Sequence, residues 1–318
     1  MQNTAQKLSI NSLYQDIDAN TKSGTLKKPT RTTTQSRFTF IDLFAGIGGF
    51  HIALKNIGGE CTFACEIDKS ARETYKINHT ISEDRFAEDI TKVDSCHVPD
   101  HDLLCAGFPC QPFSQAGFKK GFDDIRGTLF FDIARLIAAK KPKVIFLENV
   151  QHLLKHDDGQ TFKTIRQVIT EHLGYSFYHK VVRASDFGVP QNRPRLFMVG
   201  FKEDKKGHFT FPPPVALHMT MSDILGGQCS KTIGYTLRVG GRGSKIDDRR
   251  NWDSYLVDGT VRRLSPSEGL IMQGFPAHFK LPSSQTQAMK QLGNSVAVPA
   301  IQAVAEQILR YLYDHESE

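Results

Sequence analysis

The chain lacks the features that would place it among membrane, secreted or metal-binding proteins. Its 318 residues contain no run of 18 or more apolar residues, which argues against a transmembrane helix. The N-terminus has no basic segment followed by an apolar one, so we expect no secretory signal and a cytoplasmic location. None of the six cysteines forms a Cys-x-x-Cys pair or a cysteine–histidine cluster with the spacing of a metal site. We therefore expect reduced thiols and no bound metal.

A strong net charge of either sign is also missing. The formal net charge is only +6, which tolerates a polyanionic partner without requiring one. The hydrophobic content of 39% is ordinary for a soluble globular protein and supplies ample material for a large core.

The order of strand and helix patterns predicts the fold class. From Phe38 onward, β-rich runs alternate with helical ones, which is typical of a doubly wound, mostly parallel α/β sheet. The predicted strands are Phe38–Phe44, Thr62–Ile67, Phe86–Ile90, His101–Ala106, Lys143–Val150, Tyr175–Val182 and Leu196–Phe201. The predicted helices between them are Phe50–Ile57, Lys69–Asn78, Thr128–Ala139 and Thr161–Leu173.

The two ends and the later third of the chain differ from this pattern in residue composition. Residues 1–36 are polar and predict a flexible tail, with at most a short helix near Leu13–Ile17. After residue 211 a run of three prolines precedes a stretch rich in glycine, arginine and aspartate. We therefore expect a main domain at 37–211 and a smaller, irregular domain at 212–281. Helices at Ser284–Gln291 and Ala300–Tyr313 would return residues 282–318 to the main domain.

One cysteine lies in a loop framed by prolines. Residues 107–114 read Gly-Phe-Pro-Cys-Gln-Pro-Phe-Ser. Pro109 and Pro112 lack backbone donors and fix φ, so this segment must be a rigid loop. Such a loop would hold the Cys110 thiol in place as a nucleophile. A buried, unreactive cysteine is the alternative that the segment alone leaves open.

A glycine-rich turn and two acids indicate a nucleoside ligand. The turn Asp42–Gly49 joins a strand to a helix, which lets backbone approach a ligand. It lacks both the Lys-Ser/Thr ending of a phosphate-binding loop and a clean Gly-x-Gly-x-x-Gly spacing, so a purely structural turn is the alternative. Glu66 follows the second strand, where doubly wound folds bind ribose hydroxyls, and Asp89 ends the third.

Further polar groups follow the later strands. Glu148 lies near the end of an apolar strand, at the sheet edge expected for Cys110, and is a candidate acid or hydrogen-bonding group. Arg193 and Arg195 occupy alternate positions of Gln-Asn-Arg-Pro-Arg, and in an extended segment they would share a face suited to a charged ligand. An exposed acid and a surface arginine pair are the alternatives.

Taken in order, these segments resemble the motifs of DNA (cytosine-5)-methyltransferases of the bacterial restriction–modification type. The resemblance extends from Phe38 to the C-terminus. The matching segments are Asp42–Gly49, Cys65–Asp68, Gly107–Ser114, Glu148–Val150, Gln191–Arg195, Arg263–Glu268, Gln273–Pro276 and Gly293–Val296.

The resemblance implies methyl transfer from S-adenosyl-L-methionine to C5 of a cytosine flipped out of duplex DNA, with S-adenosyl-L-homocysteine as product. It implies a Rossmann-like methyltransferase sheet in a catalytic and cofactor-binding domain, and target recognition at 212–281. The residues it implies for catalysis are Cys110, Glu148, Arg193 and Arg195. Those it implies for the cofactor pocket are Phe44, Ala45, Gly46, Gly48, Glu66, Ile67, Asp89, Ile90, Pro109, Asn294 and Ser295.

DNA contacts and partners are implied in the same way. The residues expected to contact DNA are Ser114, Lys119, Lys120, Thr236, Arg238, Arg242, Arg249 and Arg250. Asp247, Asp248 and Asp253 partly neutralise this patch, so some arginines would only position the fold. We expect a monomer in the bacterial cytoplasm, functionally linked to a restriction endonuclease without necessarily binding it.

Two other functions remain open on the sequence. A transfer RNA cytosine methyltransferase would carry the same motifs, although the long arginine-rich insertion between Arg195 and Arg263 favours DNA. A catalytically inactive DNA-binding homologue is the second, against which the intact Cys110 and Glu148 argue. An NAD-dependent oxidoreductase fits the glycine-rich turn alone, but nothing else in the chain supplies hydride chemistry.

Overall fold

The alternating pattern forms a seven-stranded sheet in the order β3-β2-β1-β4-β5-β7-β6. This computed structural model describes residues 38–110, 129–204 and 207–313. The strands of the sheet are β1 (Phe38–Leu43), β2 (Gly59–Cys65), β3 (Phe86–Ala87), β4 (Leu103–Gly107), β5 (Val144–Val150), β6 (Tyr178–Arg183) and β7 (Pro194–Phe201). Strands β1 to β5 pair in parallel, and only the β5–β7 and β7–β6 pairs are antiparallel. The predicted mostly parallel α/β fold is confirmed.

The helices follow the predicted alternation closely. Their bounds are α1 (Gly49–Asn56), α2 (Lys69–Asn78), α3 (Leu129–Lys140), α4 (Gln160–Gln167), α5 (Met221–Leu225), α6 (Pro266–Gln273), α7 (Gln285–Asn294) and α8 (Val298–Tyr313). Helix α2 has the predicted bounds because Asp68 caps it, its carboxylate accepting the Ala71 N–H at 3.1 Å. None of the helices in the described part of the chain is long and apolar enough to cross a membrane.

Several predicted bounds were wrong; the second strand, for example, is Gly59–Cys65 rather than Thr62–Ile67. The third strand ends at Ala87 rather than Ile90, because Asp89 caps a 3₁₀ turn over Ile90–Lys92. The helix predicted as Thr161–Leu173 is α4 followed by a π-helical turn at Val168–His172.

The buried centre of the sheet explains why the functional groups lie at its edge. In β5 every residue from Val144 to Asn149 is buried, as expected for a strand covered on both faces. Only the ends of such strands can present polar groups to a ligand. In open α/β sheets ligands accordingly bind outside the carboxyl ends of the strands.

The chain divides into two compact units. Among the described residues, the larger unit holds the sheet and comprises 38–110, 129–183, 194–204, 207–214 and 298–313. The smaller unit comprises 184–193 and 215–297, including the antiparallel hairpin β8 (Ser254–Val257) and β9 (Thr260–Arg263). Residues 184–193 and 282–297 thus belong to the smaller unit, whereas the sequence pattern had grouped them with the main domain or its C-terminal segment. The division leaves the predicted recognition and catalytic roles of the units as predictions.

Candidate active site

The loop after β1 requires glycine for its backbone conformation. Its φ is positive at Phe44 (56°), Gly46 (56°) and Gly48 (88°), a region that glycine enters without steric cost. A Cβ atom added to Gly48 would also lie 2.1 Å from Nε2 of His79. Nε2 of His79 lies 3.1 Å from the carbonyl oxygen of Ile47, so this buried imidazole supports the loop from behind.

Glu66 holds the same loop from its other side. The N–H groups of Gly46 and Asp68 each donate to one oxygen of the Glu66 carboxylate, both at 2.8 Å. A carboxylate has about four lone-pair sites, so Glu66 retains acceptor capacity for a pair of ribose hydroxyls. The next side chain, Ile67, is apolar yet 71% exposed, as a contact for a planar base would be. These residues fit the nucleoside part of S-adenosyl-L-methionine.

The other predicted cofactor residues differ in their exposure and in the hydrogen bonds that they already make. Hydrogen bonds from the Thr91 hydroxyl (2.8 Å) and backbone N–H (3.0 Å) engage the Asp89 carboxylate and hold its pKa below the usual value. Ile90 is 4% exposed and packs in the main core, whereas Pro109 is exposed. The cofactor roles of these residues stay predictions.

Asp42 is a buried acid that the sequence analysis did not single out. It lies on β1 just before the glycine-rich loop, with 0% exposure. Within the described ranges neither carboxylate oxygen makes a hydrogen bond of normal geometry. Burial raises the pKa of this carboxyl well above its usual value, and the Glu66 carboxylate adds to the rise. An acid inside an apolar strand is the signal that could have marked it.

The cysteine loop begins where β4 ends. The side chain of Asn149, 2% exposed, donates to the carbonyl of Phe108 at 2.8 Å and so fixes the entry to the loop. Cys110 is half-buried and packs against the main core. Burial raises the pKa of its thiol. Since the thiolate is the nucleophilic form, the thiol needs a further charge or partner to react. The predicted DNA contacts Ser114, Lys119 and Lys120 lie outside the described residues.

A buried ion pair lies beside this loop. Nε of Arg195, at the start of β7, is 2.9 Å from Oε1 of Glu148 on β5, and both side chains are largely buried. A Cβ added to Gly107 would lie 3.6 Å from Oε2 of Glu148. The carboxylate therefore lies next to the backbone that leads into Cys110. The carboxylate and one guanidinium thus lie beside the backbone that leads into the Cys110 loop.

Comparison with known proteins decides which family this site belongs to. The family model for C-5 cytosine-specific DNA methylase matches residues 38–239 and 228–310. The chain belongs to this family. It is 40% identical over 309 residues to the Type II methyltransferase M.HhaI of Haemophilus parahaemolyticus, covering 85% of this chain and 93% of that protein. It is 43% identical over 307 residues to M.NlaX of Neisseria lactamica, covering 85% and 96%.

Solved structures agree on the fold. A DNMT2 mutant from Spodoptera frugiperda superposes with a TM-score of 0.65 at 18% identity, over 85% of this chain and 99% of that one. The Entamoeba histolytica methyltransferase EhMeth gives the same TM-score at 18% identity, over 89% and 100%. The enzyme is accordingly a DNA (cytosine-5)-methyltransferase, and covalent attack by a cysteine is general to its family.

The two arginines of the Gln-Asn-Arg-Pro-Arg segment have different environments in this methyltransferase. Arg193 is 2% exposed and donates to the carbonyls of Leu237 (3.0 Å), Gly293 (3.0 Å) and Ser295, all in the smaller unit. These contacts favour a structural role for Arg193, and its part in catalysis stays a prediction. Arg195 pairs with Glu148.

The predicted cofactor residues of the smaller unit also differ from each other. Asn294 is exposed, whereas Ser295 is 7% exposed and its carbonyl accepts from Arg193. Their contact with the cofactor stays a prediction.

Most of the predicted DNA-contacting arginines of the methyltransferase have internal partners. Arg238 donates to the carbonyl of Arg250 at 2.8 Å, and the Arg250 guanidinium makes two bonds to the Asp248 carboxylate, at 3.1 and 2.8 Å. Nε of Arg242 lies 3.8 Å from Oδ2 of the buried Asp253. Arg249 is exposed and makes no hydrogen bond or ion pair with the described part of the chain. It is therefore the arginine of this group that is most accessible to a phosphate.

Proposed function

We propose that this methyltransferase modifies C5 of a cytosine flipped out of duplex DNA, with Cys110 as the nucleophile. The observation that carries the proposal is the buried Glu148–Arg195 pair beside the backbone that enters the Cys110 loop. A target atom inside a duplex is unreachable for such a recessed group, so the base must leave the stack.

Each residue has a distinct part in the reaction. C5 of cytosine is a weak nucleophile, so the Cys110 thiolate first adds to C6 and makes C5 electron-rich. Glu148 donates or accepts hydrogen bonds at N3 and the amino group of the base, and Arg195 keeps that carboxyl oriented. After methyl transfer a base takes the proton from C5, the electron pair of that C–H bond restores the C5–C6 double bond, and the C6–S bond breaks to release the Cys110 thiolate.

The cofactor is the methyl donor of this scheme. When bound, S-adenosyl-L-methionine supplies an electrophilic methyl group attached to a sulfonium sulfur. Glu66 would accept hydrogen bonds from the ribose hydroxyls and Ile67 would contact the adenine, as the hydrogen bonds of Glu66 and the exposure of Ile67 indicate. The loop Phe44–Gly48 would bring backbone close to the ligand.

The biological role is inferred from the relatives. M.HhaI and M.NlaX are Type II methyltransferases. We infer that this enzyme marks a short recognition sequence so that a partner restriction endonuclease does not cleave it, and that it works as a monomer.

Transfer of a labelled methyl group to duplex DNA and to transfer RNA, side by side, tests the proposal. We expect label only in DNA, and label only in transfer RNA would overturn it. A duplex carrying 5-fluorocytosine adds a direct test of the covalent step, since fluorine cannot leave as a cation. The complex should then resist denaturation with wild-type protein and not with Cys110→Ser.

A further inference from the structure

The segment 190–193 runs alongside residues 234–237 within the smaller unit. The Gly234 N–H donates to the Pro190 carbonyl at 2.9 Å, and the Asn192 N–H donates to the Gly234 carbonyl at 2.9 Å. Gln191 and Gly234 form an isolated parallel bridge. Two stretches that are far apart in the chain are therefore fixed in register.

Side chains of the first stretch then hold both backbone polar groups of Leu237. The Leu237 N–H donates to Oε1 of Gln191 at 3.1 Å, and Nη1 of Arg193 donates to the Leu237 carbonyl at 3.0 Å. Gln191, Arg193 and Leu237 are all essentially buried. Hydrogen bonds made by fully buried groups are costly to lose, because the partner is left without water or protein to replace them.

The two flanking residues are tied to the same frame. The Thr236 hydroxyl donates to the Asn192 carbonyl. A Cβ added to Gly293 would lie 2.7 Å from the carbonyl carbon of Arg238, so helix α7 abuts this backbone directly. The Arg238 side chain itself is exposed. The segment Thr236–Arg238 is therefore held in a fixed position that leaves the Arg238 side chain exposed.

The geometry points to Gln191 and Arg193 as positioning residues for DNA target recognition. We infer that their clamp on Leu237 fixes where Thr236 and Arg238 meet the DNA, and so determines sequence specificity rather than the chemical step. This inference rests on the proposed function, in which Thr236 and Arg238 contact DNA. It also gives Arg193 a role distinct from that of Arg195.

The test compares sequence fidelity and kinetics among matched variants of the full chain. Bisulfite sequencing of DNA methylated by the wild-type enzyme first defines the recognition sequence. Gln191→Met removes the hydrogen bond to the Leu237 N–H at similar volume, together with the bonds from Nε2 to the Met272 carbonyl (2.9 Å) and the Gln273 side chain (3.2 Å). Thr236→Val removes one hydroxyl at a half-buried site where folding is least at risk. Thr236→Ser keeps the hydroxyl and serves as the conservative rescue.

For Gln191→Met and Thr236→Val we expect KM for DNA to rise about tenfold, and methylation at sites with one altered base to rise similarly relative to the cognate site. In Gln191→Met the kcat and the affinity for S-adenosyl-L-homocysteine should change less than about twofold, and Thr236→Ser should regain most of the DNA affinity and fidelity that Thr236→Val loses. Arg193→Lys should follow Gln191→Met, whereas Arg195→Lys should lower kcat with fidelity intact.

Two outcomes would overturn the inference, and they differ from failure of the proposed function. A fall in kcat for Arg193→Lys with unchanged fidelity and KM for DNA would return Arg193 to the chemical step. Unchanged fidelity in Gln191→Met and Thr236→Val, alongside lost DNA affinity in Arg238→Ala, would show that the clamp does not position the segment. If Arg238→Ala also leaves DNA binding intact, the recognition role of this segment itself fails.

Discussion

At the scale of single residues, burial raises the pKa of the Cys110 thiol, and Asn149 fixes the start of the loop that carries it. In the proposed reaction the thiol therefore needs a further charge or partner to form the thiolate.

Cys110→Ser should abolish methyl transfer while DNA binding persists. Loss of an enzyme's nucleophile typically costs about a thousandfold or more in kcat, since the covalent route is closed. Radiolabel transfer measures the first property and a gel-shift titration the second. Cys96→Ser, which changes an exposed thiol, is the control and should leave both unchanged. Residual transfer within tenfold of wild type would mean that the nucleophile is another group.

The Glu148–Arg195 pair should contribute to both stability and rate. Arg195→Met removes this cation from beside the buried Glu148 carboxylate, which should lower the free energy of unfolding by about 3 kcal/mol. The kcat should fall about a hundredfold, because the carboxyl loses its orientation. Urea denaturation and single-turnover transfer measure the two effects.

Two further variants test whether the Glu148–Arg195 pair stabilises the fold. In Arg195→Met/Glu148→Gln part of the stability should return, because the amide leaves no charge unpaired. Lys76→Met removes an exposed ion pair with Glu83 and should change stability by no more than about 1 kcal/mol. A double variant no more stable than Arg195→Met would show that the buried charge of Glu148 does not cause the loss.

The residue types at this site were predictable from the sequence, but the different contacts of the two arginines were not. Arg193 and Arg195 look equivalent in Gln-Asn-Arg-Pro-Arg, and alternation alone placed them on one face. Their partners lie on β5 in one case and around residues 237 and 293–295 in the other. Contacts of such sequence separation leave no local pattern.

At the scale of elements, the glycine-rich loop depends on a buried histidine cluster behind it. The rings of His51 and His79 stack with centroids 4.2 Å apart, and Nδ1 of His51 lies 2.7 Å from the Tyr75 hydroxyl. Burial lowers the pKa of His79 to about 4 and that of His51 to about 2. Both imidazoles are therefore neutral at neutral pH, which allows them to stack.

This cluster predicts that the protein loses stability in mild acid. Between pH 6.5 and about 4 the unfolded chain binds a proton on each histidine that the folded protein does not. Their contribution is complete above pH 6.5 and is lost as the pH falls, at about 1.4 kcal/mol per pH unit for each histidine.

His79→Gln keeps a donor for the Ile47 carbonyl but has no titrating ring. The free energy of unfolding, measured by urea denaturation from pH 7 to 5, should then fall less steeply by about one histidine's share. His97→Gln changes an exposed histidine and should leave the slope as it is. A slope that His79→Gln does not alter would mean that His79 is already protonated in the folded protein.

The elements that were predicted correctly are those marked by signals within a short stretch of sequence. Helix α2 was predicted over its observed bounds because its cap and periodicity are both local. The hairpin β8–β9 was not predicted, because each of its strands has only four residues. Strands this short show no clear alternation in the sequence, and their antiparallel pairing is visible only in the structure. The antiparallel direction of β6 and β7 likewise depends on pairing partners rather than composition.

At the scale of the whole molecule, the net positive charge is small, because basic and acidic residues are nearly equal in number. A net charge of +6 over 318 residues supplies little general attraction to a polyanion. Binding to DNA must therefore depend on a limited number of placed cations. The ion pair within the arginine-rich segment reduces that number further, because the Asp248 carboxylate already neutralises Arg250.

The salt dependence of DNA binding should reveal which arginines meet phosphates. The logarithm of the association constant falls linearly with the logarithm of salt concentration, with a slope of about 0.9 per neutralised phosphate. Arg249→Gln should reduce that slope by about 1, because this exposed guanidinium has no partner within the described residues and is available to a phosphate.

Arg250→Gln is the matched comparison, because it removes the same charge from the neighbouring position. The Asp248 carboxylate already neutralises Arg250 through two hydrogen bonds, so removing this arginine should reduce the slope by well under 1. Fluorescence anisotropy at several salt concentrations, on one cognate duplex, measures both slopes. Equal reductions would mean that DNA displaces Asp248 from Arg250, and that the segment rearranges when it binds.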